Sequence, residues 1–79
     1  MTEYTKRYIK KALEQHKMWL ENPETGKRAD FSGKFLAYAK FMLADLRNAN
    51  FKNAEMLDAD FEGANLAGAN LEGVIGYKP

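Results

Sequence analysis

Seventy-nine residues make one small domain and leave no room for a second. Twelve Lys/Arg against eleven Asp/Glu give a formal charge of +1, so no global field announces a nucleic-acid or membrane partner. The sequence has no cysteine, which excludes disulfides, thiolate metal sites and cysteine nucleophiles together. Its apolar runs are too short for a membrane span, and the basic amphipathic start lacks the form of a signal peptide. The expectation is a soluble, cytoplasmic module.

Residues 3–21 read as an amphipathic helix. At 100° per residue, Tyr8, Ile9, Ala12, Leu13, His16, Trp19 and Leu20 fall within an arc of about 140°. Lys6, Lys10, Glu14, Lys17 and Glu21 occupy the opposite side. Asn22-Pro23 ends the helix, because the residue before proline is pushed out of the α region. Glu24-Thr25-Gly26-Lys27 then reads as a turn. A helix this short is marginal alone in water, so its apolar stripe must cover something. The predicted organisation is 1–28, helix and turn, capping or buttressing a second segment at 29–79.

Near-neutrality hides a dipolar chain. Up to Leu43 there are nine Lys/Arg against five Asp/Glu, or +4; from Ala44 to Gly73 there are two against six, or −4. The front is basic and the back acidic.

From 29 to 73 the chain repeats every five residues: ADFSG, KFLAY, AKFML, ADLRN, ANFKN, AEMLD, ADFEG, ANLAG, ANLEG. Eight of nine units open with alanine, Lys34 being the exception, and the third residue is bulky and apolar in all nine. Chance would produce that alanine register about once in a million. A period of five suits neither regular element. On a helix the bulky position would advance 500° and define no face, and on a flat strand it would alternate faces. A chain that turns a corner every five residues and points its third residue at a common axis satisfies both constraints. Glycine, asparagine and aspartate at the fifth position tolerate the backbone such corners need.

The A-(D/N)-(L/F)-x-x pattern resembles the pentapeptide-repeat proteins. The preceding His16-Lys17-x-Trp19-Leu20…Gly26-Lys27-Arg28-Ala29-Asp30-Phe31 is similar to the leader of some short members. The resemblance implies a β-solenoid, a right-handed quadrilateral β-helix with four pentapeptides per coil. Nine repeats then give about two coils with one N-terminal α-helix. It also implies a C-terminal homodimer contact, for which Val74, Ile75 and Tyr77 are the candidates.

On such a coil the second, fourth and fifth residues face outward. Phe35, Tyr38, Met42 and Leu43 break the polar pattern there. The expectation is that the helix packs on them through Tyr8, Leu13 and Trp19; the alternative is a partner-docking patch. Asp45, Glu55, Asp58, Asp60, Glu62 and Glu72 form an acidic surface. The bland account of it is solubility. The sharper account is imitation of a phosphate backbone, since the family resembled includes inhibitors of DNA gyrase that mimic duplex DNA.

Equipment for catalysis is thin. His16 is the single histidine and reads as a partly buried structural residue rather than a metal ligand. Ser32 lacks an orienting third group, Asp58 and Asp60 sit on a convex side without a cleft, and the glycines from Gly63 onward fall in phase as corners rather than as a phosphate loop. No catalytic residue, cofactor or metal is expected. The functional expectation is a small inhibitor, borne by a phage or mobile element, that occupies the DNA channel of a DNA-binding protein or complex of the host. Candidate targets are a CRISPR surveillance complex, which would make it an anti-CRISPR, or DNA gyrase. Direct binding of nucleic acid or membrane is not expected. The alternative is a protein-interaction or scaffold module without DNA mimicry.

Overall fold

The computed structural model describes residues 3–78. Helix α1 (Glu3–Glu21) is followed by a turn and then by a coiled chain whose only β pairing, among the described residues, is a set of parallel bridges. The bridges join Asp30 to Asn50 and Asn50 to Asn70, Phe35 to Glu55 and Glu55 to Ile75, Lys40 to Asp60, and Asp45 to Asn65. Every partner is twenty residues away. Four five-residue units therefore close one turn of the solenoid, with 29–48 as coil one, 49–68 as coil two and a partial third beyond.

Each corner is a β-turn closed by the next unit's first N–H on the third residue's carbonyl. Lys34 to Phe31 (3.1 Å), Ala39 to Leu36 (3.0 Å) and Ala64 to Phe61 (2.9 Å) are examples. The fifth residue has positive φ in all nine units, from 56° at Asp58 to 73° at Gly68, as type II turns require. The Asp or Asn at the second position has a structural task. Its Oδ1 accepts the N–H two residues on, as in Asp30 to Ser32, Asp45 to Arg47, Asn50 to Lys52, Asp60 to Glu62, Asn65 to Ala67 and Asn70 to Glu72, at 3.0–3.3 Å. This side chain satisfies a donor that the corner would otherwise leave to water.

The third residues fill the interior. Phe31, Phe41, Leu46, Phe51 and Met56 are fully buried, and the alanines at 29, 39, 49 and 54 pack between them. In coils one and two the third residues run Phe, Leu, Phe, Leu, Phe, Met, Phe, Leu. With four units per coil this alternation puts the rings in two facing columns. Phe31 stacks on Phe51 (5.2 Å between centroids, 21°) and Phe41 on Phe61 (5.0 Å, 11°), while rings in different columns meet edge to face (5.5 Å, 70° for Phe31 and Phe41). Both geometries are favourable for aromatic quadrupoles.

Helix α1 covers the open end of coil one. Ile9 is buried in the core cluster, with Ala12 and Leu13 packed against it, and the Tyr8 ring meets Phe31 edge-on at 6.2 Å. The chain doubles back through Gly26 (φ 64°). A Cβ there would collide with the Gln15 carbonyl and lie 2.6 Å from Met18 Cβ. At the far end Tyr77 sets its ring against Phe61 (5.4 Å, 76°).

His16 makes the joint between helix and coil. Within the solenoid a fourth-position carbonyl accepts the fifth-position N–H of the coil above, as Lys52 accepts from Gly33 (2.8 Å). Coil one has no coil above it. The Arg47 carbonyl instead accepts His16 Nε2–H at 2.8 Å, and the Ala29 N–H, which has no preceding corner to bond, donates to His16 Nδ1 at 2.9 Å. A backbone N–H can only donate and a carbonyl only accept, so the ring is held as the neutral Nε2–H tautomer. Burial lowers its pKa from the ordinary 6.5, outweighing the Arg47 carbonyl, which pulls the other way. Trp19 stacks over the imidazole (5.5 Å, 24°).

Candidate protein-interaction face

The expected packing of α1 over the apolar quartet does not occur. Phe35 is 69% exposed, Tyr38 60%, Met42 50% and Leu43 81%. The helix stripe is used up on the coil end, where Ile9, Ala12, Leu13 and His16 meet the core and Arg47. A helix lying across an end leaves the sides bare.

These four residues belong to units 34–38 and 39–43, adjacent sides of coil one. Directly below unit 34–38 lies 54–58, through the Phe35–Glu55 bridge, and below 39–43 lies 59–63, through Lys40–Asp60. The face therefore has two rows about 4.8 Å apart. The upper holds Phe35, Tyr38, Lys40, Met42 and Leu43, and the lower holds Glu55, Leu57, Asp58, Asp60 and Glu62.

Repeat chemistry is abandoned here and nowhere else between 29 and 73. The second position carries Phe35, Lys40 and Glu55 instead of Asp or Asn, so these corners lack the side-chain acceptor. Tyr38 (φ 67°) and Leu43 (φ 61°) occupy the left-handed region where the other units place Gly, Asn or Asp. A side chain without a local hydrogen bond loses about 1–2 kcal/mol in that region. Leu43 lies over Gly63, its Cδ2 2.6 Å from where a Cβ would stand. Units 34–38 and 39–43 are consecutive, and 54–58, ten residues further along the chain, is brought beneath the first of them by the Phe35–Glu55 bridge.

Of the six acidic residues, four come together: Glu55, Asp58, Asp60 and Glu62. Asp45 stands on another side and is neutralised by Arg47, whose Nε and Nη2 approach its two oxygens at 2.8 and 2.7 Å. The Arg47 guanidinium holds that carboxyl below the usual range. Glu72 lies on the side shared by Asp30, Asn50 and Asn70, away from the row. Asp60 carries a structural bond to the Glu62 N–H, a role that a reading of it as surface charge alone overlooks. Val74 and Tyr77 pack on their own core, so Ile75, 61% exposed, is the one member of the C-terminal trio left open. The lone histidine is fully buried, and no group of three or more His, Cys, Asp or Glu able to hold a metal exists among the described residues. No described helix is long and apolar enough to cross a membrane.

A family model for pentapeptide repeats, in eight copies, matches residues 27–56 and 39–75. The chain belongs to the pentapeptide-repeat family. A solved pentapeptide-repeat protein from the Arabidopsis thaliana thylakoid lumen is similar, at 46% identity and a TM-score of 0.58 over 58% of this chain. The chain spans 32% of that protein's length. No curated protein matches significantly. Within the family's regular scaffold, the two-row face is what distinguishes this chain from a uniform stack.

Proposed function

We propose that this pentapeptide-repeat chain is a non-catalytic protein-binding module that docks through the two-row face. The observation that carries the reading is the clustering of the broken repeats. Where Asx acceptors and glycine-like corners are given up, large apolar side chains stand in solvent over a row of carboxylates. Local rules are broken most often where function demands it. Membership of a family often used for protein interaction supports the same reading. The partner surface that fits is an apolar patch bordered by Lys or Arg.

A second reading has one observation in its favour. Glu55, Asp58, Asp60 and Glu62 line up along one coil on a rigid backbone, as phosphates would, and a DNA-handling protein such as DNA gyrase or a CRISPR surveillance complex would then be the target. Against it stand the single acidic row, Lys40 above Asp60, and the apolar row alongside, which has no counterpart on duplex DNA.

Affinity capture with Tyr38→Asn/Leu43→Asn and with Glu55→Gln/Glu62→Gln as parallel baits tests both. A partner lost with the first bait supports docking through the face, and one retained by it overturns the proposal. Displacement of the partner by added duplex DNA, together with loss on the second bait, favours the DNA-mimic reading.

A further inference from the structure

The face is self-complementary, and we infer that its occupant is a second copy of this chain, packed side to side with the two solenoid axes antiparallel. The inference rests on the proposed docking face and names its partner. Three bands cross these two adjacent sides of the molecule, around the Tyr38 corner, in order. At the top, α1 with the adjoining Lys40 supplies Lys6, Lys10, Lys17 and Lys40 against Glu14 and Glu21, a net +2. Lys6, Lys10 and Glu14 border one groove with Tyr38 and Lys40, and Glu14, Lys17 and Glu21 border the next with Met42 and Leu43. The middle band is the apolar row of coil one. The bottom band is the acidic row of coil two. A two-fold axis through the middle band lays apolar row on apolar row and brings each basic band against the other copy's acidic band, twice. An isologous pair needs this kind of self-matching patch. A foreign partner would need it by coincidence.

The area agrees. With about 150–250 Å² for a large side chain in full exposure, the open fractions of Phe35, Tyr38, Met42 and Leu43, with Leu57 in the row below, offer roughly 600 Å² of exposed surface. Adding the charged bands brings the patch to the scale of a standard interface, about 800 Å² per partner. The left-handed Tyr38 and Leu43 fit the same account, because residues that strain the monomer are explained by contacts made in the pair. The arrangement differs from the C-terminal contact expected from the family resemblance, two of whose three residues are already engaged in the protomer's own core.

Sedimentation velocity over roughly 1–200 µM, spanning ordinary micromolar dimer constants, tests the inference. The wild type should dimerise, and more weakly in high salt as the charged bands are screened. Tyr38→Asn/Leu43→Asn should raise the dissociation constant more than about tenfold while melting no earlier than wild type at a concentration where both are monomeric, since asparagine tolerates those corners. Lys10→Glu/Lys17→Glu carries acid in both bands, and Glu55→Lys/Asp58→Asn/Glu62→Lys, which leaves Asp60 as the one carboxylate of the row against two lysines, carries net base in both. Each should be monomeric alone, and the mixture should form a one-to-one heterodimer. A monomeric wild type overturns the inference whatever the capture experiment shows. So does a dimer indifferent to Tyr38→Asn/Leu43→Asn, or a mixture that stays monomeric while circular dichroism shows both variants folded.

Discussion

Replacing His16 tests how the solenoid's upper end is closed. In His16→Ala the Ala29 N–H loses its acceptor and the Arg47 carbonyl loses its donor, and a buried backbone group left unpaired costs about 1–3 kcal/mol. Trp19 also loses its stacking partner. Partial hydration of the space left by the ring offsets some of this, so the expected loss is about 3–5 kcal/mol. A chain of this length has a total stability of about 4–12 kcal/mol. His16→Asn keeps an oxygen near the Nδ1 position and His16→Gln keeps an N–H near Nε2, so each should recover roughly half of the loss. The pH dependence follows from the same two bonds. The folded protein holds the ring neutral with a pKa below 6.5, so the unfolded state binds the proton first. Stability is fully present above about pH 6.5 and falls as pH drops through that value toward the folded pKa, with a slope of at most about 1.4 kcal/mol per unit. Urea unfolding at pH 7.5, 6.5, 5.5 and 5.0 measures both effects. A His16→Ala penalty under about 1 kcal/mol, or a wild-type stability flat across that series, would refute the reasoning.

Leu43→Asn or Tyr38→Asn should each stabilise the monomer by about 1 kcal/mol by relieving the left-handed corner, seen as a rise of about 4–8 °C in melting temperature. Gly26→Ala should cost more than about 1 kcal/mol in urea unfolding, since the added carbon strains a positive φ and meets the Gln15 carbonyl and Met18. Phe51→Ala removes the ring between Phe31, Phe41 and Phe61 and should cost about 3–5 kcal/mol, read as a lower urea midpoint. Asp60→Asn keeps the acceptor for the Glu62 N–H and should stay within about 0.5 kcal/mol of wild type, whereas Asp60→Leu should lose about 1 kcal/mol; equal stabilities would remove the structural role assigned to that carboxylate.

The repeat and its inward column were legible because they are local. Alanine at one position and a bulky residue two places on appear in every quintet, and no helix or flat strand can satisfy them. The four-unit coil was implied by the family resemblance and is fixed by bridges twenty residues apart. The alternation of Phe with Leu or Met, which reading each quintet separately passes over, asks only for an even number of units per turn if the rings are to stack. Less could be read at Asp45 and Asp60. An outward carboxylate looks the same in sequence whether it binds a partner, an arginine or its own corner, and only the turn geometry separates these. The apolar quartet was visible as a break in pattern, yet its expected cover was misassigned. An amphipathic helix shows that it needs a surface without saying which one.

The amino-acid string by itself settled the quintet, the residues that line the interior and the span of the leading helix, since each is written in neighbours within a turn or two. Folding settled the rest: α1 lies across the end and not along the side, His16 stands in for a missing coil, and three irregular units from two successive coils meet on the surface. Those outcomes depend on groups thirteen to thirty-one residues apart meeting in space. Which donor faces which acceptor is decided by closure of the coil, and no local pattern records it.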